Sequence, residues 1–264
     1  MKTTSGKARR MGLSEAAMST FVEWVKGWVN AGLALVYPEV CQLCGVGRAT
    51  PAEGFVCAGC RGQARFIEPP FCERCGRPYQ GEVSGPFECA ACREAGWPFC
   101  SARSAVVARD GVLEAIRRYK YRRALWFEPF LAGLLISRAA PALAAGPWHW
   151  LVPVPLHPTK HRQREFNQAE RLADRLSEAT RIPVHKGLLR RVAPTPTQTL
   201  LSRPERLANM GRAFALRRGA RLHGQRLVLV DDVLTTGATT GACAGVLLAG
   251  GAGEVCVWTV ARGI

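Results

Sequence analysis

Eight of the 11 cysteines fall between Cys41 and Cys92, and their spacing constrains the chain more than any other feature. Cys41 and Cys44 are followed after 12 residues by Cys57 and Cys60, and Cys72 and Cys75 after 13 residues by Cys89 and Cys92. A Cys-x-x-Cys turn places two sulfurs on one tetrahedral edge, and a short hairpin brings the second pair across. Gly45 and Gly76 follow the first turn of each quartet, where positive φ lets backbone N–H groups face the thiolates. Four thiolates leave no open coordination position, which favours two structural Zn2+ sites over disulfides, iron–sulfur clusters or redox dithiols. Pairing within each quartet is the simpler assignment, and the spacing also permits interleaved ligation. The stretch is rich in Gly, Pro and Cys and poor in apolar periodicity, so metal has to supply its stability. Cys100, Cys243 and Cys256 have no partner spacing and are expected in the core.

Charge is placed unevenly. Of the formal +16, residues 1–100 carry net +2 and residues 101–264 net +14; with eight thiolates on two zinc ions the front part becomes net −2. The basic surface therefore belongs to the second part, and it points to polyanions or phosphorylated ligands. Thirty of the basic residues are Arg and 6 are Lys, which suits bidentate phosphate contacts but also fits biased codon usage. Phe21–Val36 is interrupted by Glu23, Lys26 and Asn30 and lacks a clear cleavage site, and no stretch approaches the roughly 18 uninterrupted apolar residues of a membrane span. The expected compartment is the cytoplasm, where persistent disulfides are disfavoured.

Residues 1–18 read as a polar tail, and Phe21–Val36 as an amphipathic helix whose Trp-rich face packs on the cysteine module or lies on a membrane surface. The tail, a front module over 19–100 and an α/β domain over 101–264 are the expected divisions. From Ser104 short apolar runs alternate with helical stretches: Ala105–Ala108, Gly111–Tyr121, Leu125–Arg138, Trp150–Val154, Asn167–Ala179, Arg226–Asp232, Thr239–Leu248 and Glu254–Ala261. That rhythm predicts a parallel sheet flanked by helices, with Pro194–Pro204 as a surface loop.

The run from Arg226 to Gly241 carries the chemistry. An apolar strand delivers Asp231 and Asp232 to the carboxyl edge of the sheet, and Thr235-Thr236-Gly237-Ala238-Thr239 then opens a helix. In an open α/β sheet that edge binds ligands. The loop N–H groups and helix N-terminus form an anion cradle, while the two carboxylates accept hydrogen bonds from sugar hydroxyls or hold Mg2+. The combination predicts a ribose 5-phosphate site. Lys120, Lys160, Arg162 and Arg164 are candidate cations for ligand phosphates, although each reads first as a solvated surface charge.

The run Val230–Thr239 resembles the phosphoribosyl-pyrophosphate (PRPP) motif of type I phosphoribosyltransferases, and it lacks the Gly-Lys-Ser/Thr ending of a Walker A loop. With Val152–Lys160, Arg162–Ala169, Pro196–Gln198, Arg206–Phe214 and the cysteine module, the chain resembles the ComF competence family, also called double-zinc-ribbon or GntX-like proteins, over about residues 30–262. The resemblance implies a type I phosphoribosyltransferase-like domain behind a double zinc ribbon, and a role in DNA uptake during natural transformation. It implies that Asp231 and Asp232 contact the ribose hydroxyls, that Thr235 to Thr239 hold the 5-phosphate, and that Val152–His157, with Pro155, approaches the pyrophosphate. The implied chemistry is Mg2+-dependent displacement of pyrophosphate at the anomeric carbon by an acceptor the sequence does not identify. This chain departs at Glu165, where the family usually reads glycine.

Arg117-Arg118-Tyr119-Lys120-Tyr121-Arg122-Arg123 places five positive charges around two aromatics, a composition suited to single-stranded nucleic acid. The same residues fit a helix whose Val112, Leu113, Ile116 and Tyr119 face the core and whose basic C-terminus suits its dipole. His157 and His161 lack a third ligand and read as hydrogen-bonded polar residues. The second functional reading is a non-catalytic adaptor for single-stranded DNA and competence-machinery proteins, with the phosphate cradle reused for the DNA backbone. A purely structural zinc scaffold leaves the acidic pair and Thr-Gly loop unexplained.

Overall fold

The computed structural model describes Trp24, residues 39–157, Thr159, and residues 165–192 and 213–264. The expected tail over 1–18, the helix Phe21–Val36 and the loop Pro194–Pro204 lie outside the described residues. Val40–Ile264 forms one compact unit and Met1–Glu39 another.

Within Val40–Ile264 the strands are β1 (Ala102–Val107), β2 (Trp150–Pro153), β3 (Leu189–Arg191), β4 (Phe214–Leu216), β5 (Arg226–Leu234) and β6 (Glu254–Arg262). Four of them build a wholly parallel sheet in the order β1-β6-β5-β2, and β3 pairs antiparallel with β4 as a separate ribbon. The helices are α1 (Ala58–Gly62) and α2 (Ala90–Ala95) in the cysteine module, then α3 (Asp110–Tyr121), α4 (Glu128–Ala144), α5 (Gln168–Thr180) and α6 (Ala238–Ala249). The fold is thus the parallel α/β sheet expected, fronted by two cysteine ribbons. The β3–β4 ribbon has no counterpart in the sequence reading, because three-residue strands are too short to show alternation.

β5 explains the layering. Val228 and Val230 enter a core shared with α3, α4 and α5, whereas Leu227 and Leu229 enter a second core with α6 and the β3–β4 ribbon. A strand covered on both faces needs an unbroken apolar run, which Leu227–Val230 supplies. Among the described residues one helical stretch, Leu125–Ala144, is long and apolar enough to cross a membrane, with a mean hydropathy of 1.2. Half of it is buried, and Phe130, Leu131 and Leu135 belong to the first core. Its buried Glu128 pairs with Arg171 and, at 2.8 Å, with Arg175, while the Tyr119 hydroxyl donates to it at 3.4 Å. This one carboxylate fastens α3, α4 and α5 together, and two cations with a hydroxyl offset its desolvation.

The ribbons are part of these cores. Val56 and Ala64 of the first join the α3–α5 core; Cys72, Cys75, Cys92, Trp97 and Phe99 of the second join the α6 core. Cys243 and Cys256 are buried as expected, but Cys100 is exposed. It stands in the segment entering β1, where its N–H reaches the Val255 carbonyl at 2.9 Å and its side chain turns outward beside Ser101.

Candidate functional site

The eight sulfurs gather as Cys41, Cys44, Cys57, Cys60 and as Cys72, Cys75, Cys89, Cys92, each set within 4.8 Å, so the pairing is sequential. Cys44 and Cys57 lie 3.8 Å apart and Cys75 and Cys89 3.9 Å. An edge of about 3.8 Å is what four sulfurs about 2.3 Å from one Zn2+ require, so both quartets fit zinc. Gly45 and Gly76 have φ of 72° and 64°. A side chain at Gly76 would also meet the Ala102 carbonyl at 2.6 Å, since the second ribbon presses on β1 there. In the first quartet the N–H groups of Gly47 and Val46 pull the Cys44 thiol down to about 6. In the second, burial opposes ionisation of Cys72, but N–H groups of Cys89, Cys75 and Arg74 bring it down to about 7. Backbone N–H groups also lower Cys41 against its burial, so each quartet contains at least one sulfur predisposed to the thiolate a metal needs.

The second candidate site opens where the sheet changes width. β2 pairs with β5 only as far as Pro153 with Val230, while β5 and β6 continue to Leu234 and Arg262. Asp231 and Asp232 follow at that step, over a cleft of about 410 Å³. Asp232 accepts an ion pair from Lys120 of α3 at 2.8 Å, with the carboxylate almost fully buried. Burial first, and then the neighbouring Asp232 charge, push Asp231 up to about 7 against the pull of Lys120. The pair thus divides into one carboxylate held by an ammonium and one that titrates near neutrality.

Beyond β5 the chain turns through Thr235 and Thr236 to Gly237, which caps α6 at φ 85°. The Ala238 N–H donates to the Thr236 hydroxyl at 3.4 Å, and the Thr240 hydroxyl to the Gly237 carbonyl at 3.1 Å. Trp97 of the second ribbon lies 3.3 Å from where a Gly237 side chain would begin and 2.5 Å from one at Gly241. Both glycines are needed for that approach, and the positive φ adds a second reason at Gly237.

Of the residues singled out from sequence, Lys120, Pro155, Asp231, Asp232, Thr235 and Thr239 line this one cleft, and Thr236, Gly237 and Ala238 form the loop between them. Lys160, Arg162 and Arg164, with His161, lie outside the described residues. His157 accepts the Thr159 N–H on Nδ1 at 3.3 Å. Asn167 caps α5 by accepting the Ala169 N–H at 3.0 Å and donates to the Val154 carbonyl at 3.1 Å, tying the end of β2 to the helix beside the cleft. Three contributors were not found from sequence. Arg191 of the β3–β4 ribbon lines the cleft, with burial lowering its pKa; Trp97 and Arg262 stand behind the loop. An arginine closing the apolar run of β6 was the one available signal.

Glu165 has φ 66°, the left-handed region that a glycine enters without penalty. Its ion pair with Arg123 at 2.7 Å is exposed on both sides and stabilises little. Glu165→Gly is therefore expected to raise stability by about 0.5–1 kcal/mol, read as a rise of roughly 1–4 °C in thermal unfolding.

A parallel α/β sheet flanked by helices and fronted by a double zinc ribbon is the class these features define. The double zinc ribbon domain model matches residues 32–93. Competence protein F of Haemophilus influenzae is 31% identical over 220 residues, covering 80% of this chain and 92% of the relative, and the chain belongs to this ComF competence-protein family. DNA utilization protein YhgH of Escherichia coli (strain K12) is 29% identical over 231 residues, 86% of this chain and 99% of that protein. A purine phosphoribosyltransferase from Pyrococcus horikoshii superposes on 50% of this chain and 83% of its own with a TM-score of 0.33 and 17% identity.

Proposed function

We propose that the protein binds PRPP with Mg2+ in the β5–α6 cleft, acts as a phosphoribosyltransferase, and serves DNA uptake in the cytoplasm. The observation that carries this reading is the direct succession of paired carboxylates, hydroxyl-rich loop and helix N-terminus in one cleft with Lys120. Asp231 and Asp232 accept the two ribose hydroxyls, and the N–H groups from Thr236 to Thr239 hold the 5-phosphate. Mg2+, which would enter with PRPP, would supply charge neutralisation for the leaving pyrophosphate. Lys120 leaves Asp232 for the pyrophosphate when the sugar arrives, while the carboxylates stabilise positive charge developing on the ring as the anomeric C–O bond breaks, pyrophosphate departs with the electron pair and a nucleophilic acceptor bonds to the anomeric carbon. Lys160, Arg162 and Arg164 follow β2 and are placed by this reading at the leaving group. The relatives' names, competence and DNA utilization, support the assignment to DNA uptake.

Saturating PRPP with Mg2+ is expected to raise the midpoint of thermal unfolding by roughly 5–10 °C, the equivalent of about 2.7 kcal/mol at a hundredfold excess over Kd. Ribose hydroxyls and Mg2+ prefer the ionised carboxylate, so the shift grows as pH rises through about 7, where Asp231 loses its proton, and then levels. A shift that is absent, or that falls as Asp231 ionises, contradicts the reading.

A second reading rests on the surface beside the cleft. Tyr121 is 71% exposed and Trp126 44%, among the exposed Arg117, Arg122 and Arg123, an arrangement that offers stacking faces and phosphate partners to single-stranded DNA. Salt-dependent binding of an oligonucleotide that PRPP leaves unaltered favours this adaptor reading over the first.

A further inference from the structure

We propose that Arg262 is a positioning residue that ties the second zinc site to the anion loop, so that the metal sets the loop's shape; this rests on the loop's reading as the phosphate cradle. Arg262 ends β6 and is 6% exposed, unusual for a cation at the end of an apolar strand. The two N–H groups of its Nη1 are shared among the carbonyls of Leu234 at 2.8 Å, Gly263 at 2.7 Å and Thr235. Its Nη2 donates to Cys75 Sγ at 3.7 Å. One rigid guanidinium thus joins a metal ligand to the residues that lead β5 into the loop. Arginine is the side chain whose fixed fork can do both.

Charge gives the link its direction. Four thiolates around Zn2+ carry a net 2−, and a buried guanidinium beside them offsets that charge. Without the metal most of that negative charge is gone, so zinc loading strengthens a hold on Arg262 that the carbonyls of Leu234, Thr235 and Gly263 share. A second contact lies on the other side of the loop, where Trp97, five residues beyond the last ligand Cys92, packs on Gly237 and Gly241. The loop is therefore clamped by the second ribbon at its start, through Arg262, and at its end, through Trp97. Groups that hydrogen-bond a metal ligand tune both metal affinity and ligand orientation. The first quartet has no place in this clamp: its ribbon joins the opposite core.

The test uses full-length, zinc-loaded protein without ligand, comparing wild type with Arg262→Gln and Arg262→Lys. Two readouts are taken: zinc release to a chromophoric chelator, and amide hydrogen exchange of Thr236–Thr240. In Arg262→Gln, zinc release from one of the two sites is expected to accelerate about 10- to 100-fold, with loss of protection at the loop amides while those of β5 keep theirs. Arg262→Lys keeps the charge but cannot span sulfur and carbonyls together, so its zinc release accelerates less while its loop protection is still lost. Wild-type zinc release and wild-type loop exchange in a folded variant overturn the proposal, and if the Gln variant does not fold, the Lys variant decides. PRPP titration of the same wild-type sample separates the two ideas. Absence of PRPP binding with zinc and loop responding together would sink the sugar-phosphate reading alone.

Discussion

Cys92→Ser is expected to lower the melting temperature by more than about 10 °C, and Cys44→Ser by much less. Apparent metal-binding energies of about 10–16 kcal/mol for a structural zinc are as large as the whole stability of a domain, about 5–15 kcal/mol. How much of that is lost depends on what each site supports. In the second quartet Cys72, Cys75 and Cys92 are buried in the same core as Leu227, Leu229 and α6, so losing its metal uncovers one face of the sheet. In the first quartet Cys41 is buried but Cys44 is exposed, and the buried apolar side chains its ribbon contributes to the other core are Val56 and Ala64. Cys100→Ser, at an exposed position outside both quartets, is the control and should leave the midpoint unchanged. Thermal unfolding with zinc content measured on each variant checks the order; equal losses for Cys92 and Cys44 would contradict this account of the cores.

Asp231→Asn and Asp232→Asn should separate binding from stability in opposite ways. Both remove an acceptor for a ribose hydroxyl, and hydrogen bonds to a charged group contribute about 1.5–3 kcal/mol each, so the double variant loses roughly 100-fold or more in PRPP affinity. Their effects on the unliganded fold differ in sign. Asp231 has its pKa raised by burial and by Asp232, so above the unfolded carboxylate pKa its ionisation disfavours the folded state, increasingly up to about pH 7. Its neutral isostere therefore raises the melting temperature at neutral pH, and the gain disappears on acidification towards pH 4. Asp232 is the ion-pair partner of a mostly buried Lys120, and Asp232→Asn removes that pair, leaves the ammonium with Asp231 as its counter-charge and lowers the melting temperature. A matched fall in stability for both variants would mean that the pair is structural. The opposite signs are the mark of a strained binding site held ready for its ligand.

Much of this was legible in the sequence because it rests on local spacing. The two quartets, the fully covered β5 and the carboxylate–loop–helix succession are each contiguous, and each appears where the residues placed it. Lys120 could be named as a candidate but its role could not, since its meeting with Asp232 depends on how α3 crosses the end of β5. Arg262 and Trp97 were missed for the same reason: one reaches back 187 residues to Cys75, and the other meets a helix more than a hundred residues away. Cys100 was misplaced because a cysteine without partner spacing looks alike in a strand and in the exposed segment before it. The glycine preference at position 165 is visible in the backbone, where Glu165 adopts the conformation that glycine takes at no steric cost.

The proposed sugar-phosphate site in the β5–α6 cleft stands or falls on PRPP binding. It is tested most directly by calorimetric titration of zinc-loaded protein with PRPP at pH 8, with and without Mg2+. Saturable binding to one site per chain is expected, requiring Mg2+ and abolished in the double Asp→Asn variant. No heat of binding from folded, zinc-loaded protein would contradict it and leave the cleft to the phosphates of single-stranded DNA.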